Sequence, residues 1–97
     1  MKYTSIEQFL SAVQNSAVSV CSVTRDCVYS FSSAAADCVW SENDFVITAT
    51  ESKSCILIDK NELISIEKTD CVDCVEYEFK TNNSVITIDV FKKGGEQ

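Results

Sequence analysis

The chain has 97 residues, 45% hydrophobic and 24% charged, with 15 acidic against 8 basic side chains and a net charge of −7. That is the length of one domain, taken as residues 1–91 with a frayed tail at 92–97, and it is too apolar for a disordered acidic tail. With no histidine, no proline and glycine only at 94 and 95, it lacks Ser/His and Cys/His nucleophile pairs and any internal glycine loop to cradle a phosphate or a dinucleotide.

The start, Met1-Lys2-Tyr3-Thr4-Ser5-Ile6-Glu7, does not have the basic and then long-apolar pattern of a signal peptide. No apolar run approaches the ~20 residues that span a bilayer, so a cytoplasmic protein is expected. Thr4-Ser5-Ile6-Glu7 reads as a capping box. Ile6, Phe9, Leu10 and Val13 then follow at i, i+3, i+4 and i+7, the stripe of an amphipathic helix that Asn15-Ser16 ends. A helix this short needs a sheet to bury against.

From Ala17 onward β-branched and aromatic runs alternate with polar clusters, which predicts strands and turns. Residues 17–23 and 27–31 form a hairpin across Thr24-Arg25-Asp26, with Cys27, Tyr29 and Phe31 on one face. Asp37-Cys38-Val39-Trp40 reads as a short helical turn or a strand. Trp40 and Tyr29 are expected in the core rather than as interface anchors. Residues 45–50 and 55–59 pair across Glu51-Ser52-Lys53-Ser54, a register that sets Ile47 opposite Ile58 and Ala49 opposite Ile56. In residues 63–68, Ile64 and Ile66 point together. Residues 75–80 and 85–91 flank Thr81-Asn82-Asn83-Ser84, and asparagines tolerate the positive φ of a tight hairpin turn. With Asn82 and Asn83 as the turn, Phe79/Ile86, Tyr77/Ile88 and Val75/Val90 all fall on one face. The fold class is therefore α+β: an N-terminal amphipathic helix on an antiparallel, hairpin-rich sheet of about six strands.

Twelve of the fifteen carboxylates lie between Asp37 and Asp89 against four lysines, so this segment carries −8 and the rest is nearly neutral. The last hairpin's register puts Glu76 opposite Asp89 and Glu78 opposite Thr87 on its second face. Like charges directly opposite on a sheet are destabilising. Asp70 and Asp73 precede this strand without a compensating base, which makes Asp70, Asp73, Glu76, Glu78 and Asp89 a candidate partner-binding patch. Carboxylates along a strand, rising about 3.4 Å per residue, invite comparison with nucleic-acid phosphates. Steering to an ordinary basic protein and simple solvation of a soluble surface are the competing readings. A hard cation such as Ca²⁺ is a third, without the glycine-containing loop of a known calcium site.

Six cysteines are present, at 21, 27, 38, 55, 71 and 74, and only Cys71-Val72-Asp73-Cys74 has metal-ligand spacing. Zinc wants four ligands, so this knuckle would need two isolated cysteines such as Cys38 and Cys55. Cys21, Cys27, Cys38 and Cys55 sit in apolar strand-like runs and are expected as small buried hydrophobes. Cys71 and Cys74 remain weak metal or redox candidates; no cofactor is expected.

No catalytic constellation emerges, and a non-enzymatic protein-binding role is expected. The partner would be a basic protein surface, not nucleic acid itself and not a membrane. Small size, acidity and lack of catalytic equipment look like the inhibitors carried by phages and mobile elements, anti-CRISPR and anti-restriction proteins among them. The likeness is of type, covers no motif and transfers no residues. It makes the expected function an inhibitor, or a nucleic-acid-mimicking decoy, on the basic surface of a nucleic-acid enzyme. The rivals are a homodimeric assembly module using the edge around Cys38 to Trp40, and a metal or redox domain on Cys71 and Cys74.

Overall fold

The computed structural model describes residues 4–92, with side chains from Ile6 onward. Helix α1 (Thr4–Val13) is followed by eight strands: β1 (Val18–Thr24), β2 (Val28–Ser33), β3 (Ala36–Trp40), β4 (Asp44–Ala49), β5 (Cys55–Asp59), β6 (Leu63–Asp70), β7 (Cys74–Thr81) and β8 (Ser84–Phe91). A 3-10 turn at Lys60–Glu62 joins β5 to β6. The α+β class with an N-terminal helix is thus observed, but the strands form two antiparallel sheets where one of about six strands was expected. Five run in the order β2-β1-β8-β7-β6 and three in the order β3-β4-β5.

The helix stripe packs as its spacing predicts, with Ile6, Phe9, Leu10 and Val13 buried. The side chains of Thr4 and Ser5 lie outside the described residues, as does the tail at 93–97. Asn15 takes φ 61°, the left-handed conformation that ends helices and that asparagine tolerates. The chain is then tied to β3: Asn15 N donates to Ala36 O at 2.8 Å, and Ala36 N donates to Ser16 O at 2.8 Å.

Phe9 is the centre of the core. Its ring lies 4.9 Å from both Tyr77 and Phe79 of the large sheet and 5.8 Å from Phe45 of the small one. Helix and small sheet together therefore cover one face of the large sheet, which buries Val18, Val20, Ile66, Tyr77, Phe79, Ile86, Ile88 and Val90. At the rim the two sheets are joined by Tyr29 of β2, whose hydroxyl donates to Cys55 O at 3.2 Å.

Several expectations change at sheet edges. β4 pairs with β5 two residues away from the predicted register, as Phe45↔Ile58 and Ile47↔Ile56. Thr50 has left the strand, where its hydroxyl donates to Ala35 O at 2.6 Å, and Ala49 N closes the turn on Ser54 O. In β6 a bulge between Leu63 and Ser65 buries Leu63 with Ile66 and turns Ile64 out to 60% exposure. Trp40 and Tyr29 are 53% and 42% exposed, because each ends up on an edge strand. Residues 36–40 are strand, not helical turn.

Candidate acidic sheet face

β1, β7 and β8 alternate strictly between core and outer positions, so the outer face of the large sheet can be read as rows across the strands. One row runs Ser32, Ser19, Asp89, Glu76, Thr69, and the next Ser30, Cys21, Thr87, Glu78, Glu67. A third runs Val28, Val23, Val85, Lys80, Ser65. Among the described residues Lys80 is the only base that the strands place on this face, and its ammonium lies 4.0 Å from Glu78. Serines and threonines surround the carboxylates on the side towards β1 and β2.

The face brings together three of the five acidic residues singled out by the sequence, and both predicted pairings hold: Glu76↔Asp89 and Glu78↔Thr87. It also contributes one that sequence reasoning missed. Glu67 of β6 stands opposite Glu78, so a second carboxylate pair lies beside the first. Sequence reading misses it because it takes residues 71–74 as metal-ligand spacing and not as the tight turn that fixes one β6–β7 register from Asp70 back to Ser65.

Asp70 and Asp73 do not join the patch. Asp70 lies opposite Val75 on the other side of the pleat and forms an ion pair with Lys92 at 3.1 Å. The missing base expected near Asp70 is therefore supplied from the end of β8. Lys92 also donates from Nζ to Cys71 O and from its backbone N to Asp73 O, both at 2.8 Å. Asp73 sits in the β6–β7 turn.

The electrostatics of the first pair follow from its geometry. Repulsion from Asp89 is the main cause that holds the Glu76 carboxyl above its ordinary value; burial, a hydrogen bond to Asp89 and Glu78 add to it. Asp89 Oδ1 is buried and has no hydrogen-bond partner. These two facts fit together physically, since two ionised carboxylates have no proton to share, and only a protonated Glu76 can donate to Asp89.

Alternation also weakens the comparison with a phosphate ladder. Only every second residue faces outward, so Glu76 and Glu78 recur at about 6.8 Å along β7, twice the residue rise. The four carboxylates form a compact staggered block over β8, β7 and β6 rather than a line.

The cysteines fall in three settings. Cys38 is buried, and burial, with Asp37 beside it, pushes its thiol up to about 11, so it is an inert core residue. Cys27 and Cys55 are exposed and Cys21 is half-buried, contrary to the expected buried role: Cys27 falls in a turn, while Cys21 and Cys55 take outward positions in their strands. Cys38 and Cys55 occupy opposite faces of the small sheet, so they do not complete a zinc site with the Cys71/Cys74 knuckle. Among the described residues no group of three or more cysteine, aspartate or glutamate side chains is placed to hold a metal ion.

A cleft of about 320 Å³ opens between β5 and the ends of β1, β7 and β8, lined by residues including Thr24, Asp59, Glu62, Thr81 and Ser84. Several of its polar groups are already engaged: Asp59 accepts from Asn61 N at 2.9 Å, and the hydroxyls of Thr81 and Ser84 are 2.9 Å apart. Among the described residues, no helix is long and apolar enough to cross a membrane.

Compared with protein-family models, with curated proteins and with solved structures, the chain finds no match.

Proposed function

We propose that this protein is a non-enzymatic binding module that uses the outer face of its large sheet to occupy a basic surface of another protein. The observation that carries the reading is the adjacency of two facing carboxylate pairs, Glu76/Asp89 and Glu67/Glu78, on a sheet face left open beside a well-filled core. Like-charged cross-strand pairs cost stability, and a basic partner turns that cost into binding energy by supplying the missing donors. The class of partner that fits best is a nucleic-acid-binding protein, whose groove is basic and whose inhibition follows from simple occupancy. The block-like arrangement favours occupancy over a residue-for-phosphate imitation. An inhibitor of the kind that phages and mobile elements carry against defence enzymes is the concrete form of this reading.

The test is capture from lysate at low and high salt, comparing the natural chain with the triple variant Glu67→Lys, Glu76→Lys, Glu78→Lys. A partner held at low salt, released as salt rises and lost in the variant supports the proposal. Equal capture by both proteins refutes it.

A second reading rests on the small sheet. β3 is an edge strand, and Val39 and Leu57 are 63% and 58% exposed in one row with Val46. Because Ala36 and Cys38 already spend edge-facing backbone groups on Asn15, Ser16 and Gln14, a homodimer would form by packing this exposed apolar row against a second copy and not by strand addition. The net charge of −7 opposes self-association, so this form requires a salt-stabilised dimer, which sedimentation at two salt concentrations detects.

A further inference from the structure

Cys71 and Cys74 stand at the two ends of the Val72-Asp73 turn that joins β6 to β7. Cys71 N donates to Cys74 O at 2.9 Å, and the ladder continues from them through Asp70↔Val75 and Thr69↔Glu76. They are thus cross-strand partners with side chains on the same face. A hydrogen-bonded antiparallel pair separates its Cα atoms by about 5.5 Å, inside the range of roughly 4.4–6.8 Å that a disulfide spans. None of the other four cysteines has a cysteine as a ladder partner: Cys21 faces Ser30 and Thr87, Cys38 faces Ile47, Cys55 faces Thr48, and Cys27 lies in a turn.

We infer that Cys71 and Cys74 are a redox pair that closes reversibly to a disulfide by exchange with a low-molecular-weight disulfide of the glutathione type. Their surroundings divide the roles. Cys71 is exposed and Cys74 half-buried, so an incoming disulfide meets Cys71 first. The Lys92 ammonium is fixed on the Cys71 backbone carbonyl at 2.8 Å and on Asp70 at 3.1 Å, which holds the turn against the end of β8. Burial, the hydrogen bond it makes with Cys71 and the nearby Asp89 keep the Cys74 thiol protonated above its ordinary range, which suits the resolving partner. Because a thiol so placed gains nothing by ionising, the reduced form is not favoured by a stabilised thiolate, unlike strongly oxidising dithiols.

The exchange balances in two steps. The Cys71 thiolate attacks one sulfur of oxidised glutathione, forming a mixed disulfide and expelling one glutathione thiolate. Cys74 then gives its proton to solvent and attacks the Cys71 sulfur, forming the Cys71–Cys74 bond and expelling the second glutathione. The protein pair is oxidised by two electrons and the glutathione disulfide is reduced to two thiols. The bridge closes only the turn itself, so the hairpin register is retained and the chain-entropy effect is small.

The test equilibrates the folded, full chain in glutathione buffers of graded oxidised-to-reduced ratio, quenches with acid, and maps thiols by alkylation and mass spectrometry. The expected result is loss of two alkylatable thiols, both in the peptide containing residues 71 and 74, with no glutathione retained there. Cys74→Ser is expected to stop at a stable glutathione adduct on Cys71. Glutathione adducts on Cys71 or Cys74 of the natural chain without ring closure at any ratio would overturn the inference. So would a Cys71–Cys74 disulfide that forms in urea but not in the folded protein, a comparison that needs no variant.

Discussion

Asp89 Oδ1 lies buried without a hydrogen-bond partner while the carboxylate of Glu76 stands opposite it across β7 and β8. The pair is arranged so that a single proton would satisfy both groups. Whenever Glu76 is ionised, its repulsion with Asp89 is carried by the folded state.

The first prediction concerns pH. Asp89 raises the folded-state value of Glu76, so the protonated form is favoured by folding. The corresponding stability is present below the unfolded value of Glu76 and is lost as pH rises through the higher folded value. Glu76→Gln mimics the protonated state and can donate to Asp89. It is expected to raise the melting temperature at neutral pH and to change it little in the acid range. Thermal unfolding of both proteins across that range checks this; an equal shift at all pH values would contradict it.

A second prediction separates the face from mere net charge. Glu67→Lys and Asp70→Lys change the charge by the same amount, but only Glu67 lies in the carboxylate block, whereas Asp70 is paired with Lys92. Glu67→Lys is expected to weaken partner capture several-fold, chiefly by slowing association, and to flatten its salt dependence. Asp70→Lys leaves capture nearly unchanged. Equal losses would reduce the effect to overall charge.

A third prediction tests the core. Phe9 is fully buried and touches aromatic rings of both sheets. Phe9→Ala is expected to cost about 3–5 kcal/mol, a large share of the stability of a domain this size. Denaturant unfolding measures it, and a loss below about 1 kcal/mol would mean that helix and sheets do not pack as described.

Local residues determined which parts of this fold were legible. The β7–β8 register was readable because Asn82-Asn83 marks the turn and three apolar pairs agree with it. The helix was readable from its stripe and from Asn15. The β4–β5 register was not, because a hydroxyl contact of Thr50 outside the hairpin shortens the strand by one residue. Nor was the division into two sheets, since hydrophobic alternation tells which residues turn inward but not which strands share a ladder. The acidic face was half legible for the same reason. Glu76 and Asp89 lie on one hairpin with a recognisable turn, whereas Glu67 reaches the block through the β6–β7 hairpin, whose turn at residues 71–74 carries no asparagine or glycine signal.

The last prediction links the two sheets to acid stability. Glu51, in the β4–β5 loop, accepts from Ala34 N and from the Ser33 hydroxyl, each at 2.7 Å, and so ties that loop to the one between β2 and β3. The Ala34 and Ser33 bonds hold its carboxyl below the ordinary value. Its contribution is present above the unfolded value and is lost as pH falls through the lower folded value. This is the opposite sign to Glu76, whose proton uptake on acidification stabilises the fold and begins at higher pH. Stability is therefore expected to rise slightly as pH falls from neutral, then to drop once Glu51 is protonated and Ser33, itself buried, loses its charged acceptor. Glu51→Gln keeps one acceptor oxygen for two donors, so it is expected to lower the melting temperature at neutral pH and to shrink the acid drop, while Glu76→Gln removes the preceding rise. Unfolding curves of the two variants and the natural chain over the acid range distinguish these effects, and a drop of the same size in Glu51→Gln would assign acid sensitivity to other carboxylates.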